Sequence, residues 1–355
     1  MSEWGTVALG EILTLKYGRA LKNGDRKGGP VPVVGSSGIV GWHDASIVDK
    51  STLVIGRKGS IGSLTLIEGA SWPIDTAYYA DFDPEIVDLR WLAHQLAGFD
   101  LKLLNKAAAV PGLNRDDVYR LHTVLPPLTE QRRIASILDE VDAIRTKRRA
   151  QLAHLDELPR SLLHEALGET KWAQEKIGTL GKVTTGKTPP TGKDGMFGGS
   201  IPFVTPGDLG SGSTSVRTVT PEGAQLSRTV SPGATLVCCI GATIGKTGRT
   251  AERSAFNQQI NAIEWGDNID DTFGYFLMKS MSPTIANAGA STTLPLLPKG
   301  RFVELEIPTP PLRVQHAFAE KVTAIRAERD RVARALEADD ELFAALQHRA
   351  FRGEL

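Results

Sequence analysis

VLPPLTEQ (residues 124–131) and TPPLRVQ (residues 309–315) share a PPL-x-x-Q core, with Pro127 and Pro311 standing 184 positions apart. At the same offset AVPGLNRDDVYRL (109–121) lies over TLPLLPKGRFVEL (293–305). One residue off that offset, LVIGRKGSIGSL (53–64) lies over LVCCIGATIGKT (236–247). Upstream, LGEILTLKYGRA (9–20) matches LGKVTTGKTP (180–189) after a short gap. Self-similarity at a fixed spacing is the mark of a duplicated structural unit. The chain therefore reads as two diverged copies of one unit, each a globular part followed by a charged helical stretch.

The charged stretch after the first PPL runs from Thr129 to Ala166 and carries Ile134, Leu138, Val141, Leu152, Leu155 and Leu162 at alternating steps of four and three. The second copy places Phe318, Val322, Ile325, Val332, Leu336, Phe343, Leu346 and Ala350 on matching positions. Such spacing is a heptad seam, interrupted at the equivalent positions Arg145 and Arg329. A seam must be buried against something, and two similar helices separated by a globular domain suggest an antiparallel pair. Each would span ~57 Å at 1.5 Å per residue. Pro159 falls on the first seam and is expected to kink that helix. The alternative is two amphipathic helices, each packed on its own domain.

The 355 residues are enough for two domains with separate cores. No run approaches the ~18 apolar residues of a membrane span, and the N-terminus MSEWGTVALGEILTLKYG lacks the pattern of a signal peptide. The two cysteines, Cys238 and Cys239, are neighbours in TLVCCIG. Adjacent strand residues face opposite sides, so the pair suits neither a metal nor a disulfide and reads as buried strand. A cytoplasmic protein without membrane contact is expected.

Catalytic signatures fail on inspection. GKVTTGKT (181–188) fits the phosphate-loop template G-x-x-x-x-G-K-[ST], which needs an apolar strand before it and a helix after it. Here KIGTL precedes and PPTGKDGMFGG follows, and its prolines and glycines exclude a sustained helix. His43, His94, His122, His154, His164, His316 and His348 have no metal-ligand spacing, so no metal site is expected. Asp75 and Asp81 lie close in PIDTAYYADFD, but nothing resembling a nuclease Glu-x-Lys follows. An Asn-Pro-Pro-aromatic signature and a glycine-rich S-adenosylmethionine loop are both absent. No catalytic residue is assigned.

The globular parts are short strand-like runs broken by glycine and proline: PVPVVGSSGIVGWHD, STLVIGRKGSIGSLTLI, IPFVTPGDL and ATLVCCIGATIGKTG. Each copy then offers a short helix, VDLRWLAHQLAG (87–98) and DTFGYFLMKSM (271–281). Loops such as GRKGS, GKTG and FNQQIN (256–261) carry small residues beside lysine, asparagine and glutamine. Small residues permit close backbone approach, cations meet phosphates, and Asn or Gln pairs with adenine edges. Charge does not single out nucleic acid: Lys+Arg against Asp+Glu is 13 to 14, 7 to 8, 13 to 11 and 8 to 8 in regions divided after 125, 170 and 309. A chain holding DNA unaided would be more basic, so any DNA contact implies basic partners.

The repeated PPL-x-x-Q start of a long helix resembles the specificity subunit of type I restriction–modification systems. So do IPFVTPGDL, the GSSGIVGWHD and IGRKGSIG loops, FNQQINAI and the terminal AFRGEL. The resemblance covers both copies. It implies an α/β (α+β) fold: target-recognition domains at 1–125 and 171–309, and coiled-coil helices at 126–170 and 310–355 paired antiparallel with pseudo-twofold symmetry. It further implies that each domain reads one half of a split site in double-stranded DNA. The helices would space the domains and dock two methyltransferase subunits. S-adenosylmethionine would belong to those subunits, ATP and Mg to motor/endonuclease subunits, and no cofactor to this chain. The sequence departs from the pattern at Pro159, and in ending the first copy LHEALGE where the second has QHRAFRGEL.

Loop chemistry and repeat symmetry together nominate a DNA-facing set. In the first domain it is Ser36, Ser37, Trp42, His43, Arg57, Lys58, Ser60, Thr76 and Tyr78. In the second it is Lys187, Thr188, Thr205, Asp208, Lys246, Thr247, Asn257, Gln258 and Gln259. The competing expectation is a coiled-coil scaffold that joins proteins without touching DNA.

Overall fold

The structure is a computed structural model that describes residues 4–104, 111–168, 170–210, 215–290 and 295–355. Residues 109–110 and 293–294, at the start of one aligned pair of segments, lie outside the described residues. The chain forms two compact units, Met1–Ala150 with Ala333–Leu355, and Gln151–Val332.

In the first unit Thr14–Tyr17, Ala77–Asp81, Thr52–Gly56 and Leu64–Ile67 form a four-stranded antiparallel sheet in that spatial order. Thr52–Gly56 is buried throughout, which is why TLVIG is apolar on both faces. A second sheet joins the hairpin Val31–Gly35 and Gly38–His43 to Trp72–Pro73, which runs parallel to the first of these strands. The helix Leu89–Gly98 starts where the Asp88 carboxylate accepts the backbone N–H groups of Arg90 and Trp91. Its Trp91, Leu92 and Leu96 join Leu15, Leu53 and Ile55 in the core, each buried side chain contributing roughly 1.5–3 kcal/mol.

The PPL-x-x-Q segment explains itself in space. The helix Leu128–Leu167 follows the prolines, and Gln131, fully buried, joins it to the domain. Its Oε1 accepts the N–H of Asp88 at 2.8 Å, while its Nε2 donates to the carbonyls of Ile86 and Pro126, each at 2.9 Å. The helix then puts Ile134, Ala135 and Leu138 into the core, where they meet Phe343, Leu346 and Ala350 of the helix Leu312–Ala350. Arg145 does not break the seam: it bonds Asp340 at 2.6 Å and lies 4.3 Å from the Phe343 ring centre. Arg148 pairs with Asp339 and Arg149 with Asp340.

The second unit repeats this plan. Gly181–Thr185, Ile260–Trp265, Thr235–Cys238 and Thr247–Arg249 form an antiparallel four-stranded sheet in the same order. Phe197–Val204 again runs parallel to its partner, Ser254–Phe256. Between copies of the shared strands this unit adds the helix Pro221–Leu226, and its edge strand Thr229–Val230 extends the antiparallel pairing that the first unit makes as a single Val48–Ser71 bridge. Asp270 caps the helix Asp271–Ser280 as Asp88 caps its counterpart. Gln315, also fully buried, accepts the Asp270 N–H at 2.9 Å and donates to the carbonyls of Asn268 and Pro310 at 3.0 and 2.8 Å. Leu163, Phe318 and Val322 enter the core together. Arg329 bonds Asp156 at 2.6 Å and Lys321 approaches Glu165 at 3.5 Å, so the two helices run antiparallel within this unit. Both members of Arg329–Asp156 are displaced by 184 positions from Asp340 and Arg145: a helix pair built by duplication exchanges the same contact in both directions.

Seam burial is uneven. Ile134, Leu138, Phe318, Val322 and Val332 are buried, whereas Val141, Leu152, Leu155, Ile325, Leu336, Phe343 and Leu346 are half-buried. Full burial falls on Leu163, one position past the half-buried Leu162. A straight α-helix drifts ~20° per heptad against a strict seven-residue repeat, and that drift moves the buried stripe along the sequence. The helix runs on through Pro159, which is itself buried. Among the described residues no helix is long and apolar enough to cross a membrane, and no cluster of His, Cys, Asp and Glu has the makings of a metal site.

Candidate nucleic-acid interface

In the first unit one group of loops converges through main-chain hydrogen bonds. The N–H groups of Arg57 and Lys58 both donate to the Thr76 carbonyl, at 3.0 and 3.1 Å, and Ser63 Oγ donates to the Ser36 carbonyl. Gly56 is needed beneath this loop, since a Cβ there would collide with the Ser60 carbonyl oxygen. Ser36, Ser37, Arg57, Lys58, Ser60 and Thr76 thus belong to one patch. Tyr78 supports it from below: it is buried and its Oη donates to the Leu113 carbonyl at 3.1 Å. Burial first, and neighbouring Tyr17 second, push its phenol up to about 12. Trp42 and His43 sit at the other end of their hairpin. Trp42 is half exposed, while His43 is buried, accepts the Lys27 N–H and packs edge-on against Trp72.

The second unit assembles the equivalent patch. Thr188 Oγ1 donates to Gln258 Oε1 at 2.6 Å, and the Lys187 N–H bonds the Phe256 carbonyl. Asn257 is buried, its amide donating to Gln259 Oε1 at 3.0 Å while its Oδ1 accepts the Gln259 N–H. The Asn257 N–H reaches the Val204 carbonyl, which brings in Thr205, whose N–H and hydroxyl both donate to Asp208 Oδ2 at 2.7 Å. Lys246 is exposed at the head of the next loop, and Thr247 is buried in the strand behind it, bonded to the Gly245 carbonyl. Of these nine, Lys187, Lys246 and Gln258 present the most accessible side chains.

The phosphate-loop template has a different use here. Gly181–Thr185 is an edge strand paired with Ile260–Trp265. Gly186 is glycine because its Cα lies against the Asn257 carbonyl, as Gly18 lies against that of Ile74. Asp75 and Asp81 part company as well. Asp81 is clamped by Lys16 at 2.6 Å and Lys50 at 2.7 Å, and those hydrogen bonds hold its carboxyl below the usual range. Cys238 and Cys239 are both buried free thiols. Burial pushes Cys239 up to about 12, the opposite of what a nucleophile requires.

Matching hydrogen bonds identify residues that loop chemistry overlooked. The Arg19 N–H meets the Pro73 carbonyl as Lys187 meets Phe256, so Arg19 is the first-unit counterpart of Lys187. The Arg57 N–H meets Thr76 as Cys239 meets Gln259, which makes Asp75 the counterpart of Gln258. Tyr17 and Arg115 also join the patch, both lying against Arg57 or its neighbours. The signal was available in the alignment of LTLKYGRA with KVTTGKTP, but a gap there hid the equivalence.

Residues 1–154 and 169–334 match the family described as type I restriction modification DNA specificity domain. The HindI specificity subunit of Haemophilus influenzae is 29% identical over 164 residues, 43% of this chain and 35% of that protein. The MjaIX specificity subunit of Methanocaldococcus jannaschii is 29% identical over 156 residues, 42% of this chain and 36% of that protein. The matched stretches thus span about a third of these relatives' own length. Among solved structures, the type I S subunit from M. genitalium covers 99% of this chain and 96% of its own, with a TM-score of 0.67 at 16% identity. A chain from the structure of a type I R-M system addressing complex assembly and conformational transition has a TM-score of 0.61 at 18% identity, covering 99% of this chain and 98% of its own. At such identity the likeness is one of fold.

Proposed function

The chain belongs to the type I restriction modification DNA specificity family, and from that premise we propose that each unit reads one half of a bipartite site in double-stranded DNA. The observation that carries this reading is the duplicated patch. The same loops are pinned by the same main-chain bonds in both units, yet bear different side chains: Arg57 and Thr76 in one, Cys239 and Gln259 in the other. A scaffold that fixes backbone and varies side chains at one place suits recognition of two different short sequences. Lys58, Lys187 and Lys246 would meet phosphates, while Asn, Gln, Ser and Thr side chains address base edges.

The chain itself has a non-catalytic role in this reading. The long helices space the two units and dock two methyltransferase subunits, which bind S-adenosylmethionine and modify adenine. Motor/endonuclease subunits supply ATP- and Mg-dependent cleavage. The formal net charge of zero fits a reader held on DNA by its partners. Adenine methylation mapped with and without this chain tests the proposal: methylation at one bipartite motif should appear only when it is present. Methylation that ignores the chain, or assembly without DNA retention, would favour a scaffold that joins proteins.

A further inference from the structure

Arg57 stands out among the cations of the first unit. Its guanidinium carbon lies 5.0 Å from the Tyr17 ring centre and 5.8 Å from that of Tyr78, the two rings meeting edge-on at 5.0 Å. Arg115 covers Tyr17 as well, at 5.4 Å. One Arg57 nitrogen, Nη2, donates to the Asp75 carbonyl at 3.0 Å. Another, Nε, is buried with no hydrogen-bond partner. Among the described residues no carboxylate forms an ion pair with Arg57, while Arg115 has only a loose contact with Asp116 at 3.9 Å. A half-buried, uncompensated cation is costly unless something else supplies acceptors.

We infer that Arg57 is a specificity-determining residue that reads a guanine in the half-site of the first unit, an assignment that rests on the DNA-reading role proposed above. The aromatic rings and the Asp75 carbonyl fix the orientation of the guanidinium before any ligand arrives, so little side-chain entropy remains to be lost. With Nε buried and one N–H of Nη2 given to the Asp75 carbonyl, the donors that remain for a ligand are those at the tip, Nη1 and the second N–H of Nη2. A planar pair of donors fits the O6 and N7 acceptors of guanine in the major groove, the commonest specific contact made by arginine. Exposed, unstacked cations such as Lys58 suit phosphates better.

The second unit is a built-in control. At the strand register held by Tyr17 and Tyr78 it has Thr185 and Asn261, joined by a hydrogen bond of 2.6 Å, and in place of Arg57 the buried Cys239. The cation–aromatic cluster is therefore not demanded by the shared fold. It belongs to what makes the first unit different.

The test uses the full chain assembled with its methyltransferase and a library of duplexes varied one base pair at a time. Arg57→Lys keeps the charge but loses the fork. We expect it to relax the preference at a single G·C position of one half-site by roughly 5- to 150-fold, leaving the other half-site, the gap and the salt dependence unchanged. Tyr17→Leu, at a half-exposed position, should relax the same base pair without changing net charge, and a thermal melt of each variant confirms folding. Unchanged preference at every position in both variants overturns the inference. So does a uniform loss of affinity with a shallower salt slope, which would make Arg57 a phosphate contact. If the wild-type assembly itself shows no sequence preference, the DNA-reading role fails, and this inference with it.

Discussion

A buried glutamine has four hydrogen-bonding sites, and Gln131 and Gln315 each use three of them to hold the start of a long helix against the loop that caps a short one. Truncation would orphan one backbone N–H and two carbonyls, at about 1–3 kcal/mol for each group left without water. Gln131→Ala should therefore lower the urea midpoint of the first unit and Gln315→Ala that of the second, each by more than a substitution at exposed Glu140 or Arg334. Equal midpoints would refute the clamp. Both glutamines were legible as a repeated motif, but their partners at Ile86 and Asn268 lie some 45 residues upstream, beyond any local pattern. Gly186 fits the rejected phosphate-loop template for a related reason: a glycine chosen for close backbone approach looks the same in one dimension as a glycine that cradles phosphate. Cys239 adds a pH dependence. Its ordinary value is 9.0 and burial pushes the folded value up to about 12, so the folded state holds the proton more tightly. Its contribution is complete below about pH 9 and is lost as the pH rises towards 12. Iodoacetamide at pH 8.5 should accordingly spare Cys239 in the native protein, burial alone should shield Cys238, and both should be labelled in urea.

Helices of 40 and 39 residues carry too little apolar surface to stand alone, and their burial is concentrated where they enter the two cores. That distribution ranks the seam. Leu138→Ala, at a fully buried position, should cost about 2–5 kcal/mol. Leu155→Ala, at a half-buried one, should cost markedly less, and urea unfolding of the pair decides the ranking. Helix existence and length could be read from the spacing of apolar residues, because a stripe that long has few alternatives, and direction from the globular domain that separates the two helices. The ionic contacts could not. Arg145 and Arg329 look like flaws in a heptad until Asp340 and Asp156 are seen beside them, each aspartate carried on the other helix. Reversing both charges of the Arg145–Asp340 pair should recover only part of the stability lost by reversing either alone, because Arg149 and Asp142 also face these positions, and a double-mutant cycle measures that part.

For the molecule as a whole, two copies of one reader predict separable readings. Replacing residues 1–125 with the matching domain of a relative should change one half-site and leave the other, and the gap, intact. Inserting whole turns into the helix between 129 and 166 should do the reverse, since each base pair of added gap shifts a half-site by ~3.4 Å and ~34°. Methylated-adenine mapping scores both, and a domain swap that altered both half-sites, or neither, would contradict independent reading. The duplication could be read from PPL-x-x-Q, but the members of each patch could not all be chosen, because His43, Tyr78, Thr247 and Asn257 differ from their accessible neighbours only in burial. The patches themselves are held by main-chain groups: Arg19 to Pro73 and Lys187 to Phe256, Ile74 to Val34 and Asn257 to Val204. A main-chain bond is indifferent to the side chain it carries. Mutation at the exposed positions among them, Arg19 and Lys187, therefore draws little on folding stability, and a lineage can drift from one DNA motif to another through intermediates that all still fold.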